Sequence, residues 1–323
     1  MKRLAASLLL SAFGALSAVP QALAVDLTLG HVLSEDSHYH AAATKFAELV
    51  SEKSKGDINV TVFPAGQLGG EVQMIQNARS GAIDLVVTGE PPLENTVPEL
   101  AVLSLPYLFD TTDAANAALQ GKAGDKLLSY IDKHDLVGLG FVSVFERSVY
   151  GTKPVRSLDD MKGFKIRVIQ GPGFVGAYEA LGAQSTPMAY SEVFLALQSG
   201  VVDGAEASPE QLIQDKFVEA TKYFNLTRVH HMAATMIMSK AAFDRLTPEQ
   251  QAIVREAGKE ASAASIDVYK KNAADGLEEL KKAGIEIIEP DLAPFMEKAR
   301  GAWDGLLANI PEGKENLELL TAK

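Results

Sequence analysis

The 323-residue sequence contains no cysteine and a single tryptophan, Trp303. Without cysteine the chain can form no disulfide, no thiolate zinc site, no iron–sulfur cluster and no cysteine nucleophile. Asp203 and Glu206 are close enough in sequence to suggest the acid–base pair of a glycosidase. A single tryptophan, however, does not supply the aromatic platforms that sugar substrates favour.

Basic side chains are also scarce. The sequence has 30 Lys+Arg against 42 Asp+Glu, and its formal net charge is -12 at pH 7. We expect no nucleic-acid partner, because phosphate binding requires a basic surface. With 47% hydrophobic residues the composition is that of a soluble globular protein. The length fits two lobes of ordinary size better than one small module.

Several catalytic and metal-binding motifs are absent from the sequence. It has no G-x-S-x-G, no H-E-x-x-H and no EF-hand loop. His38 and His40 are two positions apart and would diverge on a helix, whereas the adjacent His230 and His231 would point to opposite faces of a strand. The sequence therefore predicts neither a metal site nor a cofactor.

The N-terminus has the pattern of a secretory signal peptide. Lys2 and Arg3 precede an apolar run over residues 4–19, and the small-residue pattern ending at Ala24 follows Pro20. We expect cleavage after Ala24, so that residues 1–24 are a signal peptide and the protein is periplasmic. A membrane anchor is the alternative, but the apolar run is short for a span and ends in a cleavage-like site.

Strand and helix patterns alternate along the rest of the chain. The first half predicts strands over 26–31, 58–63 and 82–87, with a helix that Asp36 or Ser37 caps and another over about 70–80. The second half predicts strands over 136–145, 164–169, 185–188, 202–205, 223–226 and 234–238, and helices over 174–181 and 191–198. Such alternation indicates an α/β protein with a parallel sheet covered by helices.

One helix is predicted to be unusually long. Thr247 suits its N-cap, Pro248 its first position, and Gln250 completes a capping box. The helical pattern then continues to about residue 282 and stops at Gly284, a length of about 50 Å. Its apolar spacing keeps no strict heptad, so a helix that braces two lobes is favoured over a coiled coil.

Arg167 is the first candidate for a functional residue. It lies near the end of the predicted strand 164–169, in a stretch that is rich in basic residues. An arginine among apolar strand residues needs an anionic partner, and a guanidinium can hold a carboxylate with two hydrogen bonds. That partner could be a small organic anion or an internal acidic side chain, and both interpretations remain open on these residues alone.

A G-x-G-x-x-G pattern, Gly171, Gly173 and Gly176, follows the same strand. With Glu192 further on, it could be the dinucleotide fingerprint of a secreted nicotinamide-dependent oxidoreductase. The preceding strand is charged, however, whereas a central dinucleotide-binding strand is normally apolar. The simpler interpretation is a tight turn into a helix, whose N-terminus can still help to hold an anion.

Several motifs in order resemble the solute-binding proteins of tripartite ATP-independent periplasmic (TRAP) transporters, the dicarboxylate-binding type. The resemblance covers essentially the whole chain after the signal peptide. The motifs are Gly66-Gln67-Leu68-Gly69, Gly81-Ala82-Ile83-Asp84, Leu105-Pro106-Tyr107-Leu108-Phe109, Ser157 to Val168, Leu181-Gly182-Ala183, Thr186-Pro187-Met188 and Glu192 to Glu206.

The resemblance implies the type II-like fold of a periplasmic solute-binding protein, with two α/β lobes and a ligand cleft between them. We expect lobe I to comprise residues 25–144 plus 233–272, and lobe II residues 145–232 plus 273–323. The long helix, at about 248–282, is expected to span both lobes. Hinge motion would close the lobes over the ligand.

The resemblance also implies roles for individual residues. Arg167 matches the family arginine that holds the ligand carboxylate, and Arg147 matches a second arginine twenty residues earlier. Gln170 matches a polar contact, and Tyr190 an aromatic one. The first lobe is expected to contribute from two segments, namely Thr88, Gly89 and Glu90, and the loop from His31 to His38.

One position departs from the family pattern. Many relatives carry Asn where this chain has Ala207, so an amide contact to the ligand is lost or replaced, for example by Glu206 or Ser208. We expect a neutral-to-acidic cleft rim with Glu90 and Glu206. Such a rim would suit a hydroxylated monocarboxylate, such as a sugar acid, better than a simple C4-dicarboxylate.

The function implied by the resemblance is that of a receptor rather than an enzyme. It would capture a small organic acid and deliver it to the membrane permease subunits of a TRAP transporter. A receptor that feeds a periplasmic sensor is an alternative within the same class. We expect a monomer, although a dimer stays an alternative.

Overall fold

The computed structural model describes residues 24–322. The expected signal peptide comprises residues 1–24, and all of it except Ala24 lies outside the described residues. Within the described range, no helix combines the length and the apolar character needed to cross a membrane.

Nine strands of the described chain form one sheet. They are β1 (Val25–Gly30), β2 (Ile58–Phe63), β3 (Leu85–Gly89), β4 (Leu136–Gly151), β5 (Lys165–Val168), β6 (Gln184–Pro187), β7 (Gly204–Ala207), β8 (Tyr223–Ser239) and β9 (Glu286–Ile288). Their order is β2-β1-β3-β8-β4-β7-β5-β6, and β9 pairs with β8. The sheet therefore has two outer groups of strands, β1–β3 and β5–β7, with β4 and β8 between them.

Helices cover the sheet and connect its strands. They are α1 (His38–Lys53), α2 (Glu71–Ser80), α3 (Glu90–Glu94), α4 (Thr112–Leu119), α5 (Lys122–Ile131), α6 (Pro172–Leu181), α7 (Val193–Gln198), α8 (Pro209–Gln214), α9 (Lys240–Asp244), α10 (Pro248–Lys282), α11 (Ala293–Gly301), α12 (Trp303–Leu307) and α13 (Gly313–Thr321). Short 3-10 helices occur at Pro98–Ser104, Leu158–Met161, Tyr190–Glu192 and Phe217–Ala220.

The first strand group, which we assign to lobe I, has the parallel arrangement that the sequence predicts. β1 pairs in parallel with both β2 and β3, and the crossover helices α1 and α2 connect these strands. The side chain of Ser37 caps α1 by accepting a hydrogen bond from the backbone N of His40 at 3.3 Å. β3 is buried along its whole length, as expected for a strand covered on both faces.

The second strand group, which we assign to lobe II, is also parallel within itself. β5 pairs with β6 along four residues and with β7 near Ile166. α6 follows β5 and ends at Gly182, which adopts a φ of 100° that an L side chain would rarely adopt. The helix therefore stops where the glycine predicts, and the chain returns to the sheet as β6.

β4 and β8 run through both lobes, and their length was not predicted. β4 has 16 residues and β8 has 17. The prediction of separate strands over 223–226 and 234–238 is wrong, because one continuous strand joins them. The polar residues between these segments suggested a break, but they pair with β4, as His230 opposite Arg147 illustrates.

α10 confirms the predicted long helix. It spans 35 residues from Pro248 to Lys282, and Thr247 and Gln250 form the capping box. The helix packs against α1 in lobe I and α8 in lobe II. A Cβ at Gly276 would lie 3.0 Å from the backbone N of Glu210, so this glycine permits the close approach to α8. The brace between lobes is therefore present.

The C-terminal helix differs from the expected lobe boundaries. The Tyr130 hydroxyl in α5 lies 2.6 Å from Oε2 of Glu312, the residue just before α13. It also lies 3.1 Å from Oδ1 of Asn316, within α13. Leu320 joins the same hydrophobic core as Leu127. Because α13 buries its apolar face against α5, it packs with elements of lobe I, whereas the sequence placed all of 273–323 in lobe II.

Candidate functional site

A small cavity lies where the two lobes meet. It has a volume of about 20 Å³, close to the space of one water molecule. Its lining residues are Val32, Leu33, Tyr39, Glu71, Phe145, Arg147, Arg167, Ile169, Tyr190, Gln211 and Met232. Two arginines and one carboxylate among mostly apolar walls make this cavity a candidate for binding a small anion.

Arg167 lies on β5 and is almost fully buried. Its Nε and Nη2 donate to the backbone carbonyl of Met188 at 3.1 and 2.8 Å. Among residues 24–322, no acidic side chain forms an ion pair with it within 4.0 Å. Burial lowers the pKa of Arg167. Its positive charge is therefore held away from water without a direct counter-charge.

Arg147, on β4, is just as buried but fully partnered. Its Nε donates to Glu206 Oε1 at 2.9 Å, and its Nη1 donates to Gln211 Oε1 at 3.1 Å. Its Nη2 donates to the backbone carbonyl of Glu206. Burial opposes the charge of Arg147, but the Glu206 carboxylate outweighs it, so its pKa is raised.

Glu206 is the centre of a buried polar network rather than a rim residue. Besides Arg147 it accepts hydrogen bonds from His230 Nδ1 at 2.9 Å and from the Tyr178 hydroxyl. Burial would raise its pKa, but His230 and Arg147 lower the pKa to about 2. The expected acidic rim is wrong, because Glu206 and Glu90 are 2% and 0% exposed.

Glu71, at the start of α2, is a cavity residue that sequence reasoning missed. Its Oε1 accepts hydrogen bonds from the backbone N of Gly89 at 2.7 Å and from Thr88 Oγ1 at 3.2 Å. Burial raises its pKa, while the charge of Arg167 opposes that rise. Thr88 and Gly89 therefore position Glu71 instead of lining the cavity. The family motif Gly66–Gly69, which ends two residues before Glu71, was the sequence signal that could have pointed to this residue.

Tyr190 covers the Arg167 side of the cavity. The Arg167 guanidinium carbon lies 5.9 Å from the centre of the Tyr190 ring. The Tyr190 hydroxyl donates to Asp215 Oδ2 at 2.6 Å. The ring is therefore held next to the cation by a second anchor on lobe II.

Gln170, Ala207 and Ser208 lie beside the cavity and do not line it. The Gln170 backbone carbonyl accepts a hydrogen bond from Asn95 Nδ2 at 2.7 Å. Ala207 is buried in β7, opposite Ser148 of β4. Ser208 caps α8, and its hydroxyl donates to Glu210.

His31 and His38 are buried behind the cavity. His31 Nε2 lies 3.1 Å from His40 Nδ1. His38 packs among aromatic rings, with Phe145 at a centroid distance of 4.6 Å. Burial lowers the pKa of His31 to about 4 and that of His38 to about 3, so both are neutral at pH 7. From this loop Val32 and Leu33 line the cavity, and Tyr39 joins them from the first turn of α1.

Glu90 belongs to a different cluster, at the N-terminus of α6. Its carboxylate accepts a hydrogen bond from Ser104 Oγ at 3.1 Å. The neighbouring Glu94 accepts hydrogen bonds from Ser104 and, at 2.7 Å, from the backbone N of Gly173. The N-terminus of α6 therefore already holds an internal carboxylate.

The same contacts give the glycines of the G-x-G-x-x-G pattern a packing role. A Cβ at Gly171 would lie 2.4 Å from the backbone oxygen of Pro91, and one at Gly173 would lie 2.5 Å from Ser104 Cβ. These glycines let α6 approach α3 closely. The Glu94 carboxylate already accepts the hydrogen bond of the Gly173 backbone N at the N-terminus of α6, where a dinucleotide phosphate would bind, so the oxidoreductase alternative is not supported.

Two α/β lobes with a charged cavity between them define a two-lobed solute-binding protein. The chain belongs to the bacterial extracellular solute-binding proteins of family 7, whose family model matches residues 29–309. The expected resemblance is thereby confirmed, since this family contains the solute-binding proteins of TRAP transporters.

Known relatives are similar along most of the chain. A crystal structure of a TRAP periplasmic solute-binding protein from Xanthobacter autotrophicus, with bound β-D-galacturonate, superposes with a TM-score of 0.88 at 32% identity, covering 92% of this chain and 100% of that one. The 2,3-diketo-L-gulonate-binding periplasmic protein of Escherichia coli is 30% identical over 299 residues, 91% of each chain. A C4-dicarboxylate-binding protein of Bacillus subtilis is 30% identical over 275 residues, 84% of this chain and 77% of that one.

Proposed function

We propose that the chain captures a hydroxylated monocarboxylate, namely a sugar acid, in the cavity between its lobes. The observation that carries this proposal is the buried guanidinium of Arg167, which has no ion-pair partner within 4.0 Å in residues 24–322. A buried cation without a counter-charge is costly, and a ligand carboxylate would supply the missing charge with two hydrogen bonds.

Glu71 favours hydroxyl groups on the rest of the ligand. Its Oε1 is already bonded to Gly89 and Thr88, so the second carboxylate oxygen is the one left for a ligand. A carboxylate accepts hydrogen bonds from hydroxyl groups and repels a second ligand carboxylate. This preference agrees with the galacturonate of the Xanthobacter protein and the diketogulonate of the E. coli protein, and it disfavours the C4-dicarboxylate of the Bacillus protein.

Movement of the lobes is part of this proposal. The cavity is narrow, at about 20 Å³, and a hinge motion that parts the lobes would let a ligand reach Arg167. The lobe boundaries from the sequence remain our proposal, with α13 moved to lobe I. Arg147 then organises the cavity wall through Glu206 and Gln211 rather than adding a second contact to the carboxylate.

The remaining roles follow the family. We propose that the chain is a receptor without catalytic turnover, which delivers its ligand to the membrane permease subunits of a TRAP transporter. Removal of residues 1–24 as a signal peptide would place it in the periplasm. A monomer remains the expected state.

A thermal-shift panel followed by calorimetry tests the proposal. The panel contains D-galacturonate, D-gluconate, succinate and NAD, because a ligand that binds only the folded state raises the melting temperature. We expect a shift with one or both sugar acids. Arg167→Ala should weaken that binding by at least about 30-fold, because the ligand carboxylate loses its partner.

Three results would contradict the proposal. Tight binding of succinate alone would point to a hydroxyl-free dicarboxylate. A shift with NAD alone would revive the oxidoreductase. Wild-type affinity in Arg167→Ala would overturn the assignment of the carboxylate anchor.

A further inference from the structure

α8 brings one more polar side chain into the cavity. Gln211 lies in the first turn of this helix, is 2% exposed, and lines the cavity together with both arginines. It follows Ala207 by four residues and was not a candidate from the sequence. Its buried amide has two donor hydrogens and one acceptor oxygen, and each needs a partner.

The orientation of the Gln211 amide is fixed by its neighbours. Arg147 can only donate hydrogen bonds, so the amide atom 3.1 Å from its Nη1 must be Oε1. The backbone N of Ser208 also donates to this oxygen, at 3.3 Å. The amide nitrogen therefore occupies the other branch of the planar group, away from Arg147.

In the part of the chain that the structure describes, that nitrogen has no protein partner. No acceptor in residues 24–322 forms a hydrogen bond with Gln211 Nε2, whereas Oε1 is bonded to Arg147 and to Ser208. Nε2 is also not enclosed by protein atoms. Because Gln211 lines the cavity, a ligand in the cavity could accept a hydrogen bond from this amide.

We propose that Gln211 is a specificity-determining residue that donates a hydrogen bond from Nε2 to a ligand oxygen. The inference rests on the proposed function of the cavity. The three side chains would then make different contacts with the ligand. Arg167 binds the carboxylate, Glu71 accepts hydrogen bonds from hydroxyl groups, and Gln211 donates a hydrogen bond to a hydroxyl or carbonyl oxygen. Gln211 and Arg167 line the same cavity, so one small ligand can contact both.

Gln211→Glu is the sharpest test, because the two side chains have almost the same shape. The new carboxylate still accepts from Arg147 but offers an acceptor where Gln211 offers a donor. We expect affinity for D-galacturonate or D-gluconate, whichever binds the wild type, to fall about 10- to 100-fold. The melting temperature without ligand should stay close to that of the wild type.

Gln214→Glu is the matched control. This residue lies on the same helix, donates to the backbone carbonyl of Asp36 at 3.3 Å, and does not line the cavity. The same added charge should leave affinity within about threefold of the wild type, since Gln214 is half-buried and lies outside the cavity, where solvent screens the charge.

Each outcome of the calorimetry decides the matter. Unchanged affinity in Gln211→Glu, together with loss of binding in Arg167→Ala, would overturn the role of Gln211 and leave the proposed function intact. Equal losses in Gln211→Glu and Gln214→Glu would also overturn it, because they would indicate a general charge effect. A wild type that binds neither acid would overturn the proposed function and, with it, this inference.

Discussion

The regions around Arg147 and Arg167 differ although both arginines are buried to the same extent. Each has 2% of its surface exposed, and each lines the cavity between the lobes. Arg147 is bonded through all three of its nitrogens, and Glu206 neutralises its charge. Within residues 24–322, Arg167 is bonded only to the uncharged carbonyl of Met188.

The comparison teaches that burial of a guanidinium does not identify a ligand contact. The decisive property is whether the folded protein already supplies a counter-charge. Where it does, removing the arginine leaves a buried carboxylate without its partner and should cost folding stability. Where it does not, the arginine weakens the ligand-free fold and is compensated only when an anionic ligand binds.

Substituting both arginines by methionine should give the largest difference. Arg147→Met is expected to lower the free energy of unfolding by about 3 to 5 kcal/mol, because Glu206 then remains charged and buried without it. Arg167→Met should raise it by no more than about 1 kcal/mol, because it removes a buried cation without a counter-charge. Chemical denaturation without ligand measures both values. Equal losses in the two variants would show that the contrast between the regions is false.

Two carboxyl groups near Arg147, those of Glu206 and Glu210, should make the folding stability depend on pH in opposite directions. The pKa of Glu206 is lowered to about 2, so its stabilising contribution is present above pH 4.5 and is lost as the pH falls towards 2. Burial raises the pKa of Glu210 to about 7, so the folded state binds more protons than the unfolded state between pH 4.5 and 7. Stability should therefore fall as the pH rises through that window.

Glu210→Gln tests the expected fall in folding stability between pH 4.5 and 7. The variant should be more stable than the wild type at pH 8, by up to about 3 kcal/mol for the shift from 4.5 to about 7, and similar to it at pH 4. Glu219→Gln, at an exposed position nearby, serves as the control and should leave the profile unchanged. The idea fails if both variants show the same dependence of melting temperature on pH.

Arg167→Lys should give the smallest effect of these substitutions. It tests whether Arg167 binds the ligand through its charge alone or through its planar fork as well. The lysine keeps the charge but loses the planar fork that binds a carboxylate with two hydrogen bonds. We expect affinity for the sugar acid to fall about 10-fold, which is about 1.4 kcal/mol, with little change in stability. Calorimetry would contradict a bidentate contact if the lysine variant bound as tightly as the wild type.

Local sequence signals predicted several elements well. The strand Ile58–Phe63 and the helix Pro248–Lys282 have the predicted bounds. Both signals, the alternation of the strand and the capping box of the helix, depend only on residues that are neighbours in the sequence. The continuous strand Tyr223–Ser239 was predicted as two pieces. Its polar middle section is stable only because β4 and the network of Glu206 provide partners that are distant in sequence.

The cavity shows the same division between local and distant information. Arg167 could be selected from its strand, since a charged residue there is unusual whatever surrounds it. Glu71 and Gln211 could not, because their relevance depends on which of their oxygens and nitrogens are already bonded to residues on other elements. Glu90 was placed in the site by its position after β3, yet its side chain is buried against Ser104.

The sequence by itself determined the alternation of strands and helices, the long brace, the family, and the presence of an arginine that requires an anion. These properties follow from residue order over short distances or from several motifs in sequence. Only the tertiary structure decided which arginine already has its anion, because the partners of Arg147 lie 59 and 64 residues away along the chain. It is this pairing across the sheet that leaves Arg167, and the amide of Gln211, for a ligand.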